Sequence, residues 1–195
     1  GNNITNNVYG IYVGPYSNNN TLVGNTLEDN LNGIYLGDTS RFTTMRSNVI
    51  CDGQMNFGVP PDMPVFIDRS DLINDIDASN TVDGKPIIYW INQHDRQVPT
   101  NAGYVMLINS SQILIKDLNL SNNVQNIFLL STNDTVILNN SITNSIYGID
   151  VRGINYLLNS STYVYYASCN TTVKGNVLVD NGVGLRIRSD NSTIL

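Results

Sequence analysis

The sequence predicts an all-β chain folded as a right-handed, single-stranded parallel β-helix, a solenoid of about 23 residues per coil with two insertions. Three observations predict it: a segment that returns along the chain, apolar residues that alternate over very short runs, and asparagine and glycine recurring at fixed places in each copy. Residues 24–36 read GNTLEDNLNGIYL and return without a gap as NNSITNSIYGIDV at 139–151. The segment returns again as GNNITNNVYGIYV at 1–13 and as GNVLVDNGVGLRI at 175–187. With Leu27 as reference, the equivalent positions are Ile4, Ile50, Leu120, Ile142 and Leu178, and Ile4, Leu27 and Ile50 stand 23 residues apart.

The short alternating runs, such as Leu22, Leu27, Ile34 and Leu36, carry the period of two that marks strands and lack the 3.6 period of helices. Each copy points the same residues inward, which suits a coil stacked on its neighbour and excludes a hairpin meander. Stacked coils then pair as parallel strands about 4.8 Å apart. Asn2, Asn25, Asn48, Asn140 and Asn176 share the position before an inward Leu or Ile, where amides can form a ladder and left-handed turns are tolerated. Gly10, Gly33, Gly148 and Gly184 share another, filled by Asn56 and Asn126 in two copies, and a left-handed or sharply bent backbone is expected there. The reading is one domain over residues 1–195. A Pro- and Asp-rich stretch at 60–102 and a Tyr-rich stretch at 152–169 break the rhythm and read as insertions.

Composition narrows the function classes. Asparagine occurs 31 times, charged residues make up 13%, and the formal charge is −6 with no Lys/Arg cluster, so nucleic acid and anionic membranes are disfavoured as partners. No run of 18 apolar residues is present, so this segment holds no membrane-spanning helix.

Copper needs converging soft or imidazole donors, but His94, Cys51, Cys169, Met45, Met55, Met63 and Met106 follow no repeating spacing. Asp75, Asp77 and Asp83, with Ser79 between, are a weak calcium candidate, because hard oxygen ligands at alternate positions can circle a cation. No cofactor is expected. A carbohydrate-active enzyme needs two opposed carboxylic acids, or a base with a neutralising cation. The regular outward positions hold Asp150 and Arg186 without a carboxylate cluster, whereas Lys85, Tyr89, Trp90, His94, Asp95 and Arg96 in the first insertion could assemble a site. The plainer reading puts Tyr89 and Trp90 over the core and the other residues in a polar turn. Asn-x-Ser/Thr occurs at Asn3, Asn19, Asn109, Asn119, Asn133, Asn139, Asn159, Asn170 and Asn191, nine glycosylation candidates.

The stretch at 80–123, NTVDGKPIIYWINQHDRQVPTNAGYVMLINSSQILIKDLNLSNN, together with the repeats, resembles the NosD-like parallel β-helix repeat proteins found in surface proteins of methanogenic archaea. The resemblance covers nearly the whole chain and implies the β-helix fold. The family name refers to a periplasmic factor associated with copper delivery. The expected function is therefore non-catalytic: an extracellular or cell-envelope building block such as a subunit of a sheath, S-layer or filament. The alternative is a module that binds or modifies polysaccharides.

Two further expectations concern assembly. Cys51 and Cys169 fall on different corners several coils apart, too far for a bridge within one chain, and are candidates for disulfides between subunits. Ile4, Ile11 and Val13 at one end, and Leu178, Leu185, Ile187 and Leu195 at the other, are in register as if one copy could stack on the next. The expected partner is a second copy of the chain, joined head to tail, with envelope glycans as a further candidate.

Overall fold

A computed structural model describes residues 1–37, 39–60, 72–159 and 162–195, and it leaves out the side chains of 154–164. Every regular element among the described residues is a β-strand. The inward residues of successive copies stack as the repeat requires, Ile4 on Leu27 and Leu27 on Ile50, and Leu120 on Ile142 and Ile142 on Leu178.

Nine strands build one long sheet. Its order is Asn3–Thr5, Thr26–Glu28, Val49–Cys51, Thr81–Val82, Lys85–Ile91, Tyr104–Ile108, Gln125–Leu130, Tyr147–Arg152 and Val183–Arg188. Neighbours run parallel on both sides of one antiparallel pair, Thr81–Val82 against Lys85–Ile91. There Asp83 and Gly84, at φ 47° and 73°, form a two-residue turn of the kind Asp-Gly favours, and the strand direction reverses.

That reversal decides where the core lies. Directly opposed residues of an antiparallel pair share a face, and Val82 opposes Lys85. The face that Leu27, Ile50 and Val82 turn into the first coils therefore continues through Ile87 and Tyr89, and the register carries it on to Met106 and Phe128. These residues form one buried cluster with Phe57, Val59, Leu72 and Ile76. The opposite face, through Ile88, Val105, Ile127, Ile149 and Leu185, packs on Ile113, Ile137, Ile142 and Val173 in a second cluster. One sheet thus carries a core on each side, the coils of residues 1–82 on one face and those of 85–195 on the other.

The first half adds the sheet Tyr9–Val13, Asn32–Leu36, Met55–Gly58 and the sheet Thr21–Val23, Thr44–Arg46, Asp75–Ile76. The second half uses His94–Gln97, Ser111–Lys116, Val136–Leu138, Thr172–Lys174, Thr193–Ile194 and the shorter Asn119–Ser121, Ser141–Thr143, Val177–Val179. Within the 60–102 stretch, Asp75–Ile76, Thr81–Val82, Lys85–Ile91 and His94–Gln97 pair with strands of the two halves. Residues 61–71 of that stretch fall outside the described residues. At 152–169, Ile154–Asn159 and Thr162–Tyr166 form an antiparallel hairpin that leaves the parallel coils.

The asparagine ladder is continuous in the first half. The backbone N–H and side-chain Nδ2 of Asn2, Asn25 and Asn48 each donate to the Oδ1 of the asparagine one coil on, ending at Asn80, over 2.7–3.2 Å. In the second half Asn140 donates likewise to Asn176, and Leu118 occupies the coil before, offering only its N–H to Asn140 Oδ1. The left-handed turns fall elsewhere: at Gly24, Ser47, Asn139 and Gly175 just before the ladder, and at Asn6, Asp29, Asp52, Asn122, Asn144 and Asp180 beyond the inward residue. Ladder and turn are separate jobs at neighbouring positions. The glycine column is also corrected: Gly10, Gly33 and Gly148 are governed by close approach and not by φ. A Cβ on Gly33 would sit 2.3 Å from both the Asn56 carbonyl oxygen and Ile50 Cγ2.

Candidate functional site

The residues expected to assemble a site in the 60–102 stretch are dispersed by strand alternation. Tyr89 is buried on the first-half face, where its hydroxyl donates to the Leu72 carbonyl at 2.6 Å, and burial pushes that phenol well above its ordinary pKa. Trp90 points to the other face, half-buried beneath the Arg96 guanidinium at 4.4 Å. Arg96 also donates to Gln93 Oε1 at 2.7 Å. His94 Nδ1 lies 2.8 Å from Asp95 Oδ2, both side chains largely exposed. Lys85 Nζ donates to the Asn119 carbonyl. The six do not face a common space.

The calcium candidate does not converge either. Asp75 and Asp77 both pair with Arg46, at 2.5 and 3.2 Å, so one guanidinium balances one of their two charges. Asp83 instead accepts from Asn56 Nδ2 at 3.0 Å and from the Asp52 N–H. The hard ligands are thus divided between two corners.

A different cluster, legible in sequence only as separate residues, lies where the shared face passes Phe128. Asp150 is fully buried and accepts from Arg152 Nε at 2.7 Å and from Arg186 Nε and Nη2 at 2.8 and 2.7 Å. Arg186 also lies over the Tyr147 ring at 3.5 Å, and Arg152 over Phe128 at 5.2 Å. Its geometry is that of an internal ionic clamp, with the carboxylate enclosed by two guanidinium groups.

Cys51 and Cys169 are free, in different halves and both half-buried. Cys51 sits beside Glu28 and Asp52, their ligand atoms all within 4.8 Å of one another. Burial, then a hydrogen bond and charge repulsion from Asp52, push its thiol up to about 11, so thiolate for disulfide exchange is scarce at neutral pH. Of the nine glycosylation candidates, Asn3, Asn19, Asn109, Asn119, Asn133, Asn139, Asn170 and Asn191 are exposed, and the side chain of Asn159 lies outside the described residues. At the terminal coils Ile4, Ile11, Leu178, Leu185 and Ile187 are half-buried, Val13 is buried and Leu195 is exposed.

Sequence reasoning missed a polar groove along one corner. In the first half it has a volume of about 400 Å³ and is lined by Asn6, Asp29 and Asp52 with Val8 and Leu31. In the second it has about 340 Å³ and is lined by Asn122, Asn144 and Asp180 with Met55. Gln54 lines both, and the halves are tied there by hydrogen bonds from Asn56 N–H to the Asn122 carbonyl and from Val124 N–H to the Phe57 carbonyl. One residue beyond Val8, the strand Tyr9–Val13 begins a shelf of tyrosines. The rings of Tyr9, Tyr12 and Tyr35 stand 5.3–5.9 Å apart, with Tyr9 and Tyr12 about half exposed. The signal was present in the repeat: a polar residue follows each inward Ile or Leu by two, and Tyr12 and Tyr35 occupy one outward position.

The fold and these surfaces define a β-helical repeat module whose outward side chains are deployed in ladders, corners and clamps. Residues 1–60 match the family model for NosD, described as periplasmic copper-binding protein, and over that stretch the chain is NosD-like. No curated protein and no solved structure matches the chain. The residues present do not fit copper. In the matched stretch Met45, Cys51 and Met55 stand in three different sheets, with Met45 sealed in the interior. Among the described residues the single group of three potential ligands that converges, Glu28, Cys51 and Asp52, offers one soft donor beside two hard carboxylates. Met63 lies outside the described residues.

Proposed function

We propose that the chain is a non-catalytic structural module of a cell envelope, a rigid β-helical building block exposed on the outside of the cell. The observation that carries this reading is the commitment of its polar side chains to the scaffold. The buried amides run coil to coil and Asp150 is closed by two arginines, so this acid lacks the freedom a general acid or base needs. The periplasmic description of the family matching residues 1–60, together with eight exposed glycosylation candidates, supports an extracellular or envelope location.

Both halves are read as right-handed coils. Strand direction and interior face reverse together at Asp83-Gly84 while the sheet goes on adding strands in one sense, so the two halves share one hand. Right-handed crossover is the general rule for parallel strands.

Assembly with further copies is part of the proposal. The half-buried Ile4, Ile11 and Leu22 of the first coil, and Leu178, Leu185 and Ile187 of the last, leave apolar rims that another coil would cover, whether from the same polypeptide or from a neighbour. Asn3–Thr5 and Val183–Arg188 run oppositely within the long sheet, so a second copy would join it antiparallel, as at Thr81–Val82 and Lys85–Ile91. Electron microscopy and light scattering of the purified chain test this: end-to-end polymers are expected, and Ile11→Lys with Ile187→Lys should reduce them to monomers. A wild-type chain that stays monomeric at high concentration would remove self-assembly from the reading. Steady degradation of a polysaccharide, lost on changing His94 or Asp95, would remove the non-catalytic one.

A further inference from the structure

We propose that the corner groove and the tyrosine shelf beside it form a binding site for a neutral, hydroxyl-rich polysaccharide. The inference goes beyond the structural role and does not depend on self-assembly.

The first support is repetition. Asn6, Asp29 and Asp52 occupy one corner of successive coils, and Asn122, Asn144 and Asp180 occupy the corresponding corner of the second half, with Gln54 at the junction. Coils rise about 4.8 Å each, so the groove offers hydrogen-bonding groups at regular intervals along a line. Such a row suits a linear polymer better than a compact ligand.

The second is chemical. Amides both donate and accept, carboxylates accept, and sugar hydroxyls do both, so every lining group has a use. Val8 and Leu31, at 62% and 42% exposure, give the groove aliphatic edges for the C–H faces of a sugar ring. Tyr9, Tyr12 and Tyr35 extend this surface with aromatic faces that end in hydroxyls, the combination that suits a partner apolar on its faces and polar at its rim.

The third is charge. The lining carries Asp29, Asp52 and Asp180 and no lysine or arginine, in a chain of net charge −6. Uronate or sulfate polymers are repelled, and nucleic acid with them. A neutral glycan meets no such penalty.

The test is affinity electrophoresis of the full chain in native gels cast with neutral glucan, xylan, mannan or galactan, and in parallel with polygalacturonate or alginate. At least one neutral polymer should retard the protein, and the acidic ones should not. Asp29 and Asn144 both have left-handed backbone, at φ 54° and 51°, so glycine fits at either position without strain. The double variant Asp29→Gly, Asn144→Gly should fold normally by circular dichroism and bind about tenfold more weakly. The double variant Tyr12→Ala, Tyr35→Ala should lose affinity to a similar degree. Retardation by none of the neutral polymers, equal retardation by the acidic ones, or unchanged binding in either folded variant would overturn the proposal.

Discussion

The two halves of the molecule use one repeat in different ways. In residues 1–82 the column before the inward aliphatic is asparagine in every coil, each amide serving the next, whereas in the second half Leu118 takes one place and the column is two asparagines long. The second half compensates with a denser apolar interior, in which Val105, Leu107, Ile127, Leu129, Ile149 and Val151 are all fully buried. Its outward face is no less buried, because the first half's core spreads across it through Tyr89, Met106 and Phe128. The difference teaches that a coil can be held by its corner amides or by its filling. It also shows that the sheet between the halves depends on both of its faces.

The largest effect is expected where that shared face turns ionic. Asp150→Ala would leave Arg152 and Arg186, both nearly buried, without their common carboxylate, and should cost about 3–5 kcal/mol in urea unfolding. The first half's Arg46 with Asp75 and Asp77 is far more exposed, so Arg46→Ala should cost less than about 1 kcal/mol. Similar costs for the two would mean that Asp150 is not enclosed.

The ladders should differ next. Asn48→Leu strips buried partners from Asn25, Asn80 and the Leu22 carbonyl together, and about 3 kcal/mol is expected. Asn140→Leu repeats what Leu118 already does one coil away and faces a partly exposed Asn176, so about 1–2 kcal/mol is expected. A reversed order in thermal melts would break the contrast between halves.

The smallest effect concerns Cys51. With its thiol pushed up to about 11 by burial and Asp52, its labelling by a maleimide should be about a hundredfold slower at pH 8 than that of an ordinary thiol, and the rate should climb with pH until about 11. Asp52→Asn removes a hydrogen bond and a charge that both favour the thiol, so labelling should accelerate. The linkage has the same sign: the folded state holds this proton more tightly, so its contribution to stability is present below pH 9 and is lost between 9 and about 11.

Much of the fold was legible because the repeat is written in side chains with one job each. Ile4, Leu27 and Ile50 announce the inward strand, and Asn2, Asn25 and Asn48 the ladder before it. The reversal was written too, in Val82-Asp83-Gly84-Lys85, a hairpin signal that reads as an ordinary corner once a uniform stack is assumed. Another clue was the unbroken apolar runs at 87–91, 104–108 and 127–130, since strands buried on both faces lose the alternation that one-sided strands keep. The candidate sites fared worse. His94, Asp95 and Arg96 are neighbours of Trp90 and Tyr89 in sequence, but strand alternation separates the rings, and no spacing rule reports which corners of different coils line one groove. That groove follows from the meeting of Met55–Gly58 with residues 122–125, 66 residues apart at Val59 and Gln125.

The claim that one sheet serves two cores is tested most directly at Val105 and Met106, adjacent residues on opposite faces, both fully buried. In a background of Cys51→Ser and Cys169→Ser, Val105→Cys and Met106→Cys would each be exposed to a neutral maleimide under native conditions. Both should resist labelling until the protein unfolds. Rapid labelling of Met106→Cys with Val105→Cys protected would mean that the outer face of the second half is open to solvent, and would contradict the shared sheet.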